Sequence, residues 1–162
     1  MSDDFSHIDE KGHARMVDIG GKERTERAAR AEAIVQMSDD LLERLREKTL
    51  PKGSPFEVAR IAGIQAAKKT SELIPLCHPL PLSRVDVSIE IVEGATRVET
   101  VARTFAETGV EMEALSAAAV AALTLYDMCK SVSKGVVIGP IRLLEKTGGE
   151  SGNWKVENDT DG

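Results

Sequence analysis

Residues 83–105 read Ser-Arg-Val-Asp-Val-Ser-Ile-Glu-Ile-Val-Glu-Gly-Ala-Thr-Arg-Val-Glu-Thr-Val-Ala-Arg-Thr-Phe. Val85, Val87, Ile89 and Ile91 alternate with Asp86, Ser88 and Glu90. Side chains of a strand point to opposite faces in turn, so this pattern predicts a half-buried strand over Ser83–Glu93. Gly94 supplies the turn, and Thr96–Phe105 returns as a second strand of a β-hairpin. Working outward, Thr108-Gly109-Val110-Glu111 has the form of a capping box and opens a helix that runs to about Ser131. Its middle, ALSAAAVAALTL (114–125), carries no charge. A helix apolar on all sides is expected to be buried on nearly every side, and its small residues allow close approach of another helix or another subunit. Gly135–Lys146 reads as the last strand.

Upstream, Ser54 and Glu57 form a second capping box with Pro55 at the first helical position. Val58, Ile61, Ala62 and Ala66 give that helix an apolar stripe, broken at Gln65, as far as about Leu73. Ser38 caps a shorter helix carrying Leu41, Leu42 and Leu45, which Lys48 closes. Ala14–Ile19 and Ala31–Met37 read as short strands. The charged segment between them, GGKERTERAARAE (20–32), reads as a mobile loop whose basic and acidic residues face solvent. The order β, β, α, α, β, β, α, β predicts the α+β class: an antiparallel or mixed sheet with helices on one face. The expected division is one domain over residues 13–150, with flexible termini at 1–12 and 151–162.

The composition narrows the function. The chain has 162 residues and a formal net charge of −6. That length supports one self-sufficient core. That charge disfavours diffuse binding to nucleic acid or an acidic membrane. Phe5, Phe56, Phe105, Tyr126 and Trp154 are its only aromatics, too few for a base-stacking platform. The N-terminus lacks the basic and apolar regions of a signal peptide, and no uncharged run reaches the roughly 20 residues that span a bilayer. Cys77 and Cys129 form no CxxC pair, and His7, His13 and His78 show no metal-ligand spacing. The expectation is a cytoplasmic protein with no resident metal.

Three places carry possible chemistry. Leu73–Leu82 contains Pro75, Pro79 and Pro81, which exclude helix and stiffen an extended connector holding Cys77 and His78. A histidine on a stiff loop suits acid–base or phosphate work; a rigid linker with a merely hydrogen-bonded histidine is the competing reading. Asp127 and Lys130 are i, i+3 neighbours beyond the apolar run, so they are expected away from a freely solvated face. Glu113, fourteen positions earlier, returns to nearly the same face and is expected to share a groove with them. A structural ion pair is the alternative. Lys52 lies just before a helix N-terminus, where it would reinforce anion binding. Glu111 in its capping box favours a structural role.

The runs ARIAGIQAAKKTSELIPLCHPL (59–80), PLCHPLPL (75–82), TGVEMEAL (108–115) and VAALTLYDMCK (120–130) carry a specific resemblance, and HIDEKGHARMVD (7–18) and IRLLEKTGG (141–149) extend it. The chain resembles the MoaC family, the cyclic pyranopterin monophosphate synthases of molybdenum cofactor biosynthesis. The likeness implies a ferredoxin-like α+β fold and a homo-hexamer, a trimer of dimers, with the active site at a subunit interface. It implies conversion of (8S)-3′,8-cyclo-7,8-dihydroguanosine 5′-triphosphate to cyclic pyranopterin monophosphate and diphosphate. Carried over by motif, the catalytic residues are Asp127, Lys130, Lys52 and His78. Leu76, Cys77, His78, Met112, Glu113 and Glu111 line the substrate site, and Lys22 and Arg27 supply early basic contacts. No cofactor is required, although Mg²⁺ can accompany the triphosphate. Two positions depart from the family pattern: Glu107 and Glu150 stand where many members have lysine.

The reaction fits these residue types. Opening an imidazole ring and rebuilding it as a pterin needs proton donors and acceptors near neutral pKa. Closing a cyclic phosphate and expelling diphosphate needs positive charge on the oxygens. Two other classes compete. A regulatory module of the same fold would bind the nucleotide without releasing diphosphate. A metal-dependent hydrolase would lose activity on chelation.

Overall fold

The computed structural model describes residues 7–9, 11–50 and 53–157. Its elements are β1 (Thr25–Gln36), α1 (Asp39–Arg46), α2 (Pro55–Lys68), α3 (Thr70–Leu73), β2 (Leu82–Val92), β3 (Ala95–Ala106), α4 (Glu111–Cys129), β4 (Val137–Thr147) and β5 (Trp154–Lys155). The strands form one antiparallel sheet in the order β2-β3-β1-β4-β5. This is the α+β arrangement expected from the pattern, with α2 and α4 packed on one face, and it is consistent with the ferredoxin-like fold that the resemblance implies. Two pairings lie in the segments read as termini: the Ile8–Ala14 bridge and the short strand β5.

The hairpin forms as its alternation requires, with Val92 opposite Ala95 across Glu93 and Gly94. Gly94 adopts φ +66°, a conformation glycine reaches without steric cost. The inward face of β3 is half polar: Thr96, Val98, Thr100, Ala102, Thr104 and Ala106 are all buried. Its threonine hydroxyls are satisfied locally. Thr100 donates to the carbonyl of Ala114 at 2.7 Å and Thr104 to that of Pro81 at 2.8 Å.

The largest correction concerns β1. Ala14–Ile19 forms no strand, and residues 25–32 of the expected loop are strand rather than mobile chain. Ala29, Ala31, Ala33 and Val35 face the helices, fully buried. Arg30 and Glu32 point to the opposite face, where neighbouring strands neutralise them. Glu32, only 4% exposed, accepts from Arg97 Nε and Arg142 Nε at 2.8 Å each. Arg30 pairs with Glu99 at 3.0 Å and Glu145 at 3.4 Å. Burial alone would raise the Glu32 pKa, but the two guanidinium bonds outweigh it and hold the carboxyl below its usual value. A strand with alanine on one face and paired charges on the other reads as a polar loop when its partners are unseen.

The helices also differ in detail. In α2, Val58 and Ile61 are 43% and 60% exposed, and the buried stripe is Ala59, Gly63, Ala66 and Ala67. Small residues won because α2 lies close against α4. A Cβ on Gly63 would meet the Ala117 carbonyl oxygen at 3.0 Å and Val87 Cγ2 at 3.1 Å. The helix ends at Lys68 and restarts as α3 rather than running unbroken to Leu73. Ser38 caps α1 as expected, accepting from the Leu41 N–H at 3.4 Å. Neither capping box closes. Ser54 stands at an N-cap with no side-chain bond, and the N-cap of α4 is Val110. Glu57 turns to Arg60 and Glu111 to Lys146 instead.

Among the described residues α4 is the one helix long and apolar enough to cross a membrane, and it serves as the core helix. Ala114, Ala117, Ala118, Ala121, Ala122 and Leu125 lie fully buried against the sheet and α2. It is not enclosed on every side: Leu123 is 58% exposed.

Candidate active site

Four segment ends meet at one end of the sheet. β1 begins there, β3 and β4 finish there, and α4 starts there. Antiparallel pairing brings Thr25 opposite Ala106 and Ala28 opposite Thr147, so segments far apart in sequence share one rim. Between them lies a cleft of two joined lobes, of about 600 Å³ and 450 Å³, with Lys22, Thr108, Gly109 and Glu111 common to both.

The outer lobe is lined by Lys22, Arg27 and Lys146 and by Glu23, Glu107, Glu111 and Glu150. Arg27 is a structural bracket as well as a charge. Its Nε donates to the Ala106 carbonyl and Nη2 to that of Glu107, each at 3.0 Å, tying β1 to the end of β3. Gly149, at φ +78°, lets the β4 turn pass over this guanidinium; a Cβ there would collide with Nη1. Lys146 pairs with Glu111 at 3.4 Å and donates to Ser151 Oγ at 2.8 Å. Glu107 pairs with Arg24 at 3.6 Å. The Glu111 carboxylate lies over Gly109, where any side chain would displace it. The acids at positions 107 and 150 thus line the same lobe as the basic residues.

The inner lobe joins the proline-rich connector to the start of α4. Leu76, Cys77, His78, Met112 and Glu113 line it, with Val17 and Ile19 from the N-terminal segment. His78 Nε2 lies 2.8 Å from the Val17 carbonyl oxygen. That oxygen can only accept, so Nε2 carries the hydrogen. Glu113 is 4% exposed. Burial among apolar walls pushes its pKa up to about 7; its own backbone N–H works against this, and the Glu111 charge adds to it. Burial also raises the Cys77 thiol, with Glu113 contributing, so the thiol stays protonated at neutral pH. A neutral Glu113 donates a proton or a hydrogen bond; its anion accepts one.

The remaining expected residues lie elsewhere. Asp127 and Lys130 do form their i, i+3 pair, Oδ1 to Nζ 2.6 Å, at the far end of α4. Both side chains are about half exposed rather than withdrawn from solvent. Glu113 and Asp127 share a face of the helix but not a groove, because fourteen residues of α4 separate them by about 21 Å. Asp127 raises the Lys130 pKa, which stabilises the ammonium and moves the group away from neutrality. Lys52 lies outside the described residues. Among the described residues no group of three His, Cys, Asp or Glu is arranged to hold a metal ion.

Sequence reasoning missed Lys146 and the Gly109 backbone. A strand lysine beside a Gly-Gly turn has no chemical signature; only its place in IRLLEKTGG marks it. Comparison with known families agrees with this convergence of motifs. The MoaC family model matches residues 16–149, a span that includes Lys22, the proline-rich connector, the start of α4 and the Asp127–Lys130 pair. The chain belongs to the MoaC family, and so to the enzymes of molybdenum cofactor biosynthesis.

Proposed function

We propose that this protein converts (8S)-3′,8-cyclo-7,8-dihydroguanosine 5′-triphosphate to cyclic pyranopterin monophosphate and diphosphate. The observation that carries the reading is the two-lobed cleft. It joins the PLCHPL connector, the VEMEAL helix start and the basic segment at Lys22 and Arg27, which are remote in sequence. The inner lobe offers Glu113, His78 and Cys77 to a heterocycle with exchangeable protons. The outer lobe offers Lys22, Arg27 and Lys146 to phosphate oxygens, beside the uncapped amides that open α4. A triphosphate held there is stabilised as its charge shifts during cyclisation and diphosphate departure.

Asp127 and Lys130 belong to the chemistry in this reading, with Asp127 orienting the Lys130 ammonium as proton donor. Their distance along α4 from the cleft supports a second copy of the chain as their source in this reading. The functional form is therefore a homo-oligomer, a hexamer by family resemblance, with each site at a subunit interface. There Lys130 loses solvent, and desolvation lowers its pKa toward the range useful for proton transfer. Lys52 is assigned to phosphate or proton transfer. The setting is cytoplasmic, with no nucleic-acid or membrane partner. No resident metal takes part, and any Mg²⁺ arrives with the triphosphate.

The test is incubation with the cyclised dihydro-GTP, following diphosphate and the pterin product together. Equimolar appearance of both is expected. Binding of the nucleotide without diphosphate release would instead identify a regulatory module.

A further inference from the structure

Residues 14–22 run from the Ile8–Ala14 bridge toward the start of β1 and form no helix or strand. Their own hydrogen bonds are short-range. Lys22 N–H donates to the Ile19 carbonyl at 3.0 Å, and Gly20 N–H to Asp18 Oδ1 at 2.9 Å. Arg15 N–H donates to the His7 carbonyl at 2.9 Å, within the same N-terminal segment. Among the described residues, a single hydrogen bond ties residues 15–23 to the sheet-and-helix body: His78 Nε2 to the Val17 carbonyl, 2.8 Å. The donor is well placed for this. Pro75, Pro79 and Pro81 fix φ on both sides of His78, so the ring sits on a connector that does not yield. The segment it holds is part of the cleft: Val17 and Ile19 wall the inner lobe, and Lys22 stands where the two lobes join.

We infer that His78 is the latch of a strap, residues 14–22, which roofs the inner lobe and presents Lys22 to both lobes. The inner lobe opens by release of that one bond. His78 is a positioning residue through Nε2, which is committed to Val17 while the strap is closed. The strap and its latch need no substrate, so this inference stands or falls independently of the proposed reaction.

The experiment is hydrogen–deuterium exchange on the full chain, comparing wild type with His78→Phe, His78→Ala and His78→Gln. Phenylalanine keeps a ring and removes the donor. Glutamine places an amide N–H close to where Nε2 lies. Loss of one hydrogen bond is expected to speed exchange in residues 13–24 roughly fivefold in the Phe and Ala variants. The Gln variant is expected to exchange like wild type, and amides of β1 and β3 to be unchanged in all. Tryptic cleavage after Arg15 and Lys22 should follow the same order. Unchanged exchange in residues 13–24 of both the Phe and Ala variants overturns the latch. So does acceleration shared equally by the sheet, or a Gln variant as fast as Ala.

Discussion

Replacing Glu113 by Gln removes an ionisable group from the inner lobe while keeping its shape. The carboxyl titrates at 4.5 in the unfolded chain and near 7 in the folded one, raised chiefly by burial. Between these values the folded state binds the extra proton, so stability falls as pH rises across the window. A shift of this size is worth about 3 kcal/mol when fully expressed, at about 1.4 kcal/mol per unit. At pH 5 the folded carboxyl is neutral and little of that penalty acts; at pH 8 nearly all of it does. Glutamine does not titrate, so whatever it gains or loses in hydrogen bonding is the same at both values. Urea unfolding of wild type and Glu113→Gln at pH 5 and pH 8 isolates the difference. The variant should gain between about 2 and 3 kcal/mol on wild type from pH 5 to pH 8. A wild-type-to-variant difference that does not change with pH would refute the claim that this carboxyl is buried, neutral and poised near 7.

Removing one of the two guanidinium partners of Glu32 leaves a buried carboxylate half paired. Arg97→Ala should cost about 2–4 kcal/mol in urea unfolding, and adding Glu32→Gln should recover part of it. The Glu32 pKa is lowered in the fold, so its contribution is present above the unfolded value and lost as pH falls through the folded one. Gly63→Val should cost about 3 kcal/mol, because a branched side chain must part α2 from α4 at the Ala117 carbonyl; exposed Ile61→Val should change stability by less than about 0.5 kcal/mol. Asp127→Ala and Lys130→Ala should each lower turnover at least about 100-fold. On the single chain the pair is about half exposed, so each variant chain should still fold. Near wild-type turnover in both would remove them from the chemistry.

The hairpin and α4 were legible because their residues report their own environment. Alternation in β2 and the uncharged run in α4 need no knowledge of what lies opposite. β1 was not legible for the opposite reason. Its Arg30 and Glu32 charges are explained only by Arg97, Glu99, Arg142 and Glu145 on neighbouring strands, more than 60 positions away. The α2 stripe misled because side-chain size and burial part company where two helices touch: glycine and alanine went in, valine and isoleucine stayed out.

The site divides in the same way. Its inner lobe was readable, since PLCHPL and VEMEAL name the residues that meet there. The split between the cleft and the Asp127–Lys130 pair was half readable. Helical periodicity gave the shared face of α4 correctly, but rise along the axis separates its ends. The outer lobe was least legible. It depends on the antiparallel register that brings Ala28 to Thr147, and on glycines whose importance is the absence of a side chain beside Arg27 and Glu111.

The proposed reaction centre joins the cleft of one chain to the Asp127–Lys130 pair of another. Mixing two inactive variants measures this directly. Glu113→Leu damages the cleft and Lys130→Ala the pair. Each alone should release almost no diphosphate from the cyclised nucleotide. Reassembled together in equal amounts, they should regain roughly a quarter of wild-type turnover, because one site in four then combines an intact cleft with an intact pair. Turnover no greater than that of the separate variants would contradict a site shared between chains.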